Sequence, residues 1–201
     1  MAFDFDLILF LALGIPGLLL ELFKQFSKIS SSKTDPHSKS KDHGTFHFIW
    51  LIVICSMGAS IHFVRLGYGL KIFSGTFSRC IVAFPISFAL IMTGHLIRRQ
   101  AIQQLGEWFT MTVRVNDKQP LIQSGWYAKM RHPSYTGVLM VLIGLGLLIN
   151  NWLGLFGIVI PPTLIFLYRI YIEEKELRAH FGTAYAEYTQ KVPAKLFPHL
   201  F

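Results

Sequence analysis

The stretch RHPSY places three residues that could do chemistry, Arg131, His132 and Tyr135, at the start of an apolar run. Proline is favoured in the first turn of a helix, where its missing N–H costs nothing, so Pro133 predicts a helix start with His132 as the capping residue. The positive end of that helix dipole and the guanidinium of Arg131 together suit a carboxylate or another anion. The alternative is that Arg131 reaches lipid headgroups and Tyr135 anchors the helix at the membrane interface.

A second polar cluster lies in RIYIEEKELRAHF, where Arg169 and Glu173 are four residues apart and Glu174 follows directly. Residues at this spacing lie on one face of a helix. Arg169 comes before the apolar pattern ends, and ionisable groups at membrane depth usually face other protein or a wet cavity. The cluster therefore indicates either a buried functional site or an ordinary surface ion pair just outside the lipid.

The composition indicates that both clusters belong to membrane-spanning helices. Of the 201 residues, 52% are hydrophobic, and the net charge of +8 comes from Lys and Arg scattered between apolar runs, which argues against a nucleic-acid partner. Windows of about 20 apolar residues predict five spans. These are Leu7–Phe23, Phe46–Val64, Ile81–Ile97, Tyr135–Ile149 and Trp152–Ile172. The sequence therefore predicts an all-α integral membrane protein with about five transmembrane helices, of which the fourth is short for a full crossing.

The order of the spans also predicts a hairpin and an orientation. Only Asn150 and Asn151 separate the last two spans, which are expected to form a helical hairpin with a tight turn. Sixteen of the 19 Lys and Arg residues flank the spans on one side and three on the other. By the positive-inside rule, the N-terminus lies outside or in a lumen, and the C-terminal region with the active site is cytosolic. The membrane would be a bacterial inner membrane or the endoplasmic reticulum.

The rest of the sequence shows no motif for nucleotide, metal or hydrolase chemistry. Residues 27–44 are rich in Ser and Lys and are predicted to be a mobile loop without activity. The sequence has no phosphate loop, nucleophile elbow or zinc-ligand spacing, so no metal is expected, and Cys55 and Cys80 are interpreted as small core residues. Tyr185 and Tyr188 fit one helix face before a proline-containing tail, which could lie over a pocket or contribute to an interfacial belt of aromatic residues.

The set LIQSGWYAKMRHPSYTG, a short helical hairpin and RIYIEEKELRAHFGTAYAEYTQKVPAKLFP resembles the isoprenylcysteine carboxyl methyltransferase family. The resemblance covers the chain from about Leu121 onward. It implies an integral membrane enzyme that uses S-adenosylmethionine, with the cofactor enclosed by the C-terminal part. Residues 98–201 would then form the methyltransferase region, with the hairpin and the tail, and residues 1–97 would contribute three transmembrane helices and the 27–44 loop.

The resemblance assigns roles to residues by position. Glu173 matches an acid that contacts the cofactor, and Arg169 matches an arginine that faces the substrate carboxylate; these two would be the catalytic residues. The positions that line the cofactor pocket are Ser124, Gly125, Trp126, Tyr127 and His132, with Gly137, Val138, Leu139 and Met140 at one wall. Tyr127, Tyr135 and Tyr185 offer aromatic faces to a sulfonium. This chain departs from the family at Trp126, where valine or alanine is common.

The implied reaction is methyl transfer to a lipophilic, membrane-embedded carboxylate such as a C-terminal prenylcysteine. The expected partners are membrane lipid and either a lipophilic small molecule or the C-terminus of a prenylated protein. A carboxylate is already ionised at neutral pH and needs no general base. A second hypothesis keeps the cofactor but changes the acceptor to a phospholipid amine or another small lipophilic nucleophile, which would need Glu173, Glu174 or His132 as base. A third is a structural or transport protein without enzymatic activity.

Overall fold

A computed structural model describes residues 45–75, 79–109 and 119–198 of the chain, in which every regular element is a helix. The first predicted span and the 27–44 loop lie outside the described residues. The α-helices are α1 (Thr45–Arg65), α2 (Phe84–Leu105), α3 (Pro133–Leu148), α4 (Trp152–Phe181) and α5 (Thr183–Lys191). A π-helical turn, Arg79–Ala83, leads into α2, and 3₁₀ turns cover Gly106–Trp108 and Gly125–Ala128. The prediction of an all-α fold is confirmed for this part of the chain, but the interpretation of Cys55 as a core residue is wrong, because its side chain is exposed on α1.

Three of the described helical stretches are long and apolar enough to cross a membrane: Phe48–Arg65, Ile81–Trp108 and Trp152–Phe181. The helix α3 has 16 residues and a length of about 24 Å, less than the roughly 30 Å of a hydrocarbon core. The short fourth span is therefore confirmed. The helices α2 and α4 continue beyond their predicted apolar spans and end at Gly106 and Gly182. These glycines adopt φ values of 57° and 54°, a conformation that commonly ends a helix.

The predicted hairpin of α3 and α4 turns at two asparagines. Asn150 adopts a left-handed φ of 54°, a conformation that asparagine tolerates better than most residues. Asn151 is the N-cap of α4, where its Oδ1 accepts hydrogen bonds from the backbone N–H groups of Leu153 and Gly154 at 2.9 and 3.2 Å. This chemistry explains why two residues suffice to reverse the chain.

The same turn is tied to the loop that follows α1. The amide of Asn150 exchanges two hydrogen bonds with the backbone of Phe73, at 2.8 and 3.1 Å. Asn151 Nδ2 donates to the Tyr68 carbonyl at 3.0 Å. Gly69 must lack a side chain, because a Cβ there would overlap Asn151 Oδ1. We call this arrangement of residues 68–73 with Asn150 and Asn151 the turn latch.

Small residues let α2 and α3 approach closely. A Cβ on Gly137 would lie 2.5 Å from the Gly94 carbonyl oxygen, and a Cβ on Gly94 would lie 2.5 Å from the Gly137 carbonyl oxygen. Seven residues along each helix, Gly144 faces the backbone of Ser87 in the same way, at 2.8 Å. Such contacts stabilise helix pairs in membranes, where apolar side chains alone give little preference for protein over lipid. This pairing fixes where α3 begins relative to α2.

The buried core joins these helices to the C-terminal segment. We call residues 192–197, which follow α5, the C-terminal strap. Its Leu196 is buried in the same cluster as residues from α2, α3 and α4, and Phe197 packs against that cluster. The strap is therefore part of the packed structure, and it lies against the end of the hairpin opposite the turn latch.

Candidate active site

The antiparallel hairpin places the two polar clusters beside each other. Tyr135 lies in the first turn of α3, and its hydroxyl accepts a hydrogen bond from Arg169 Nε at 2.9 Å. One turn further from the turn latch, His132 meets Glu173 and Glu174 of α4. Arg169 is only 4% exposed, so its charge is held inside the protein. The structure thus brings four of the predicted site residues, His132, Tyr135, Arg169 and Glu173, together at one end of the hairpin.

His132 holds the N-cap position of α3 with Pro133 as the first helical residue, as predicted, but its side chain makes no capping hydrogen bond. It points across to α4 instead. Its Nδ1 lies 3.6 Å from Glu173 Oε2, and its Nε2 lies 3.3 Å from Glu174 Oε1. Burial lowers the pKa of His132, but the two carboxylates outweigh burial and leave that pKa above its ordinary value of 6.5. The two carboxylates thus stabilise the protonated form of the imidazole relative to a free histidine.

Two further residues of this cluster are Arg131, predicted to suit an anion, and Glu174, a candidate base, neither of which the family resemblance assigned to catalysis or to the cofactor. Arg131 Nε donates to Glu174 Oε1 at 2.7 Å, and both side chains are at least nine-tenths buried. Arg131 also donates from one terminal nitrogen to the carbonyls of Val192 and Pro193, at 2.7 and 2.8 Å. The sequence signal for the pair was the adjacency of each residue to a predicted one, Arg131 to His132 and Glu174 to Glu173.

Tyrosines of the C-terminal part surround an open cleft of about 380 Å³, a volume that includes solvent at its mouth. Tyr127, Tyr185 and Tyr188 line it together with Arg131 and apolar residues of α4 and the 119–122 segment. Tyr188 donates to the Tyr127 carbonyl at 2.7 Å, which fixes the 3₁₀ turn against α5. Burial, opposed by Arg131, raises the pKa of Tyr188 to about 12, so its hydroxyl keeps its proton.

Two buried oxygens in this region, Glu173 Oε2 and the Tyr185 hydroxyl, have no hydrogen-bond partner among the described residues. Buried polar groups are ordinarily satisfied, and leaving one unsatisfied costs about 1–3 kcal/mol. The Glu173 side chain as a whole is 29% exposed, so it is reachable from outside. Tyr185 lines the cleft and Glu173 does not, and each of the two oxygens can accept a hydrogen bond from a hydroxyl or ammonium donor.

The start of the predicted pocket segment contacts α2. Ser124 and Gly125 are exposed, and the Trp126 backbone N–H donates to Gln104 Oε1 at 3.0 Å. The Trp126 indole N–H donates to Gln100 Oε1 at 2.7 Å. The large side chain that departs from the family pattern is thus directed at α2 and holds the 3₁₀ turn there.

The predicted helix wall also has contacts within the protein. Gly137 and Met140 face Gly94 of α2, Leu139 is buried in the core, and Val138 packs against that core. The close packing of α2 on α3 explains why these four residues are small or apolar. Contact of this wall, and of residues 124–126, with a cofactor stays a prediction.

The His132 environment predicts a pH dependence of stability. Because the folded protein raises the pKa of His132 above 6.5, the stabilisation is fully present below pH 6.5 and is lost as the pH rises through the folded pKa. We expect the thermal midpoint in detergent to fall as the pH is raised from 6 to 9, and His132→Gln to flatten this dependence. The exposed His180 provides the control, since His180→Gln should leave the slope unchanged. An equal slope in wild type and His132→Gln would contradict the ion pairs with α4.

The sequence is similar to proteins of one family. Residues 87–179 match the sequence model of the Isoprenylcysteine carboxyl methyltransferase (ICMT) family. A probable protein-S-isoprenylcysteine O-methyltransferase of Oryza sativa subsp. indica is 34% identical over 113 residues, which are 55% of this chain and 59% of that protein. The protein-S-isoprenylcysteine O-methyltransferase of Saccharomyces cerevisiae is 33% identical over 125 residues, 61% of this chain and 52% of that protein.

A solved structure has a similar fold. The chain is similar to the structure of the eukaryotic intramembrane Ras methyltransferase ICMT, with a TM-score of 0.61 and 23% sequence identity. The match covers 88% of this chain and 62% of that one. This chain therefore spans less than two thirds of the length of the relatives it matches, and the shared part includes the hairpin that carries the polar clusters.

Proposed function

Because residues 87–179 match the sequence model of the isoprenylcysteine carboxyl methyltransferase family, we propose that this chain is an S-adenosylmethionine-dependent methyltransferase of membrane-embedded carboxylates. The acceptor class is a lipophilic acid such as a C-terminal prenylcysteine, on a small molecule or a prenylated protein. The observation that carries the proposal is the meeting of Tyr135, Arg169, His132 and Glu173 at one end of the α3–α4 hairpin, where Arg169 and His132 are buried. It provides a fixed cation for the carboxylate beside an acid for the cofactor.

Arg169 is the residue proposed to bind the acceptor carboxylate. Its guanidinium is buried, and its Nε is oriented by the Tyr135 hydroxyl at 2.9 Å. A guanidinium offers five N–H donors in a planar fork, a geometry that suits the two oxygens of a carboxylate. Its position in a membrane-crossing helix suits an acceptor whose tail stays in lipid.

The residues proposed to hold the cofactor fit its polar and aromatic requirements. When bound, S-adenosylmethionine supplies an electrophilic methyl group on a sulfonium sulfur. Glu173 Oε2 and the Tyr185 hydroxyl are buried and accept or donate no hydrogen bond within the described part of the chain, which matches a ligand with ammonium and hydroxyl donors. The rings of Tyr127 and Tyr185 in the cleft can hold a cation against their faces. Exclusion of water by the strap and helices would keep the acceptor carboxylate reactive.

The state of His132 supports a carboxylate acceptor over an amine. An amine must lose a proton to become a methylated product, and His132 is one of the residues that would accept that proton. Both ring nitrogens of His132 face carboxylates, an arrangement that keeps the ring protonated. Glu174 is engaged by Arg131. All three candidate bases, His132, Glu173 and Glu174, thus take part in ion pairs, whereas an ionised carboxylate acceptor requires no base.

We also propose the orientation that follows from the charge distribution. With sixteen Lys and Arg residues on one side of the spans and three on the other, the hairpin end that bears the site faces the cytosol and the N-terminus is outside or lumenal. The membrane is a bacterial inner membrane or the endoplasmic reticulum. Residues 1–97 would then serve as membrane helices and residues 98–201 as the methyltransferase region.

Transfer of labelled methyl groups tests the proposal directly. Purified protein in detergent is given S-[methyl-³H]adenosylmethionine with either a prenylcysteine analogue or a phospholipid amine. Label in the prenylcysteine that is released by mild base identifies a methyl ester and supports the proposal. Base-stable label in the amine lipid would favour the second hypothesis, and no cofactor binding by calorimetry would favour a structural or transport protein.

Glu173→Gln tests the cofactor site separately from the acceptor. The change keeps the size of the side chain but removes its charge, so an ammonium or hydroxyl donor loses a charge-assisted hydrogen bond worth about 1.5–3 kcal/mol. We expect S-adenosylmethionine affinity, measured by calorimetry, to fall by about 10- to 100-fold. The exposed Glu187 of α5 gives the matched control, Glu187→Gln. Unchanged affinity in Glu173→Gln would remove Glu173 from the cofactor site.

A further inference from the structure

The C-terminal strap runs along the start of α3 and is bound there through its backbone. The carbonyls of Ala194 and Lys195 accept the backbone N–H groups of Arg131 and His132, at 3.0 and 2.9 Å. Further along, the Leu196 carbonyl accepts the hydroxyl of Thr136 at 2.7 Å. Three successive carbonyls of the strap thus accept hydrogen bonds from the residues just before α3 and from its first turn.

The side chain of Arg131 also binds the strap and links it to α4. One terminal nitrogen donates to the carbonyls of both Val192 and Pro193, while Nε donates to Glu174. All three elements, the strap, α3 and α4, therefore meet at one guanidinium that is 8% exposed. A lysine in the same place has a single point of charge and cannot reproduce this fork.

The contacts of Arg131 continue to the predicted site. Glu174 Oε1, which accepts from Arg131 Nε at 2.7 Å, is also 3.3 Å from His132 Nε2. The other ring nitrogen of His132 is 3.6 Å from Glu173 Oε2. A displacement of Arg131 would therefore move Glu174 and His132 and, through them, change what faces Glu173.

We infer that Arg131 is a positioning residue that fastens the C-terminal strap across the end of the hairpin and thereby holds Glu174, His132 and Glu173 in the geometry that binds the cofactor. The claim about cofactor binding rests on the proposed function. The claim that Arg131 holds the strap rests only on the described contacts. It assigns a function to the strap, which neither cluster in the sequence includes.

Hydrogen exchange at the backbone amides of Arg131 and His132 tests the strap without any ligand. These two amides are protected by strap carbonyls, so Arg131→Gln should speed their exchange by about tenfold or more. Arg178→Gln, at an exposed arginine of α4, is the matched control and should leave exchange unchanged. Equal protection in Arg131→Gln and wild type would overturn the inference, because the strap would then be held without Arg131.

Calorimetry with S-adenosylmethionine on the same variants tests the positioning step. We expect Arg131→Gln to weaken affinity at least about tenfold, and Arg131→Lys, which keeps the charge but not the fork, to recover only part of the loss. Loosened exchange with wild-type affinity would overturn the positioning claim. If Arg131→Gln does not fold, Arg131→Lys gives both readouts. If wild-type protein binds no S-adenosylmethionine, the proposed function fails, and so does the positioning step, while hydrogen exchange still decides whether Arg131 holds the strap.

Discussion

Arg169→Ala is expected to lower kcat/KM for methyl transfer by about 100- to 1,000-fold, the loss typical of a removed charge-stabilising donor. The reason is that Arg169 is a buried cation oriented by Tyr135, and no neutral side chain can replace its hold on a carboxylate. Affinity for S-adenosylmethionine should stay within about threefold of wild type, because the proposed cofactor contacts lie with Glu173 and the tyrosines. Labelled methyl transfer and calorimetry measure the two quantities on the same preparation.

Tyr135→Phe is the informative companion to Arg169→Ala. It removes the hydroxyl that accepts from Arg169 Nε at 2.9 Å but retains the guanidinium and the ring. We expect a loss of about tenfold, between wild type and Arg169→Ala, since the cation stays present with less orientation. Normal turnover by Arg169→Ala would place the acceptor elsewhere, and loss of cofactor affinity in Arg169→Ala would assign the arginine to the cofactor or the fold.

The second large effect concerns the fold that positions these residues. Gly137→Leu should destabilise the protein by about 3 kcal/mol or more, because overpacking against backbone cannot be relieved by a side-chain rotation. A Cβ at Gly137 would meet the Gly94 carbonyl oxygen at 2.5 Å and the Arg98 backbone nitrogen at 3.0 Å. We expect a lower thermal midpoint in detergent and a smaller yield of monodisperse protein.

Gly58→Leu is the matched control for Gly137→Leu. Gly58 lies in α1, another membrane-crossing helix, and a Cβ there would meet nothing within 4 Å. The same glycine-to-leucine change therefore adds an apolar side chain without a clash, and the thermal midpoint should stay close to that of wild type. If the two variants were equally stable, the close approach of α2 and α3 would be contradicted.

The hairpin and its polar end were predictable from sequence because local chemistry determines them. Proline at position 133 begins α3 as predicted, and α3 ends at Leu148, one residue before the predicted end at Ile149. Once the turn at Asn150 and Asn151 is fixed, the start of α3 lies beside the part of α4 that carries Arg169 and Glu173. Which residues meet also depends on how the two helices pack, because Tyr135 and Arg169 do not lie at equal distances from the turn.

The role of Arg131 and the strap was not predictable in the same way. The strap binds through backbone carbonyls, which every residue has, so its sequence carries no pattern for those hydrogen bonds. The direction of Trp126 depends on Gln100 and Gln104, about 22–26 residues away in the chain. Contacts of this kind depend on how helices pack, and neither hydropathy nor helical spacing specifies them.

The turn latch joins one end of the hairpin through amide and backbone groups. Asn150 and Asn151 bind the 68–73 loop by several hydrogen bonds, so α3 and α4 are tied to that loop at the end remote from Arg169. The other end is joined by ionisable side chains, Arg169 with Tyr135 and Arg131 with Glu174. Separation of α3 from α4 beside Arg169 would therefore require these side-chain contacts to break, whereas the latched end could stay intact.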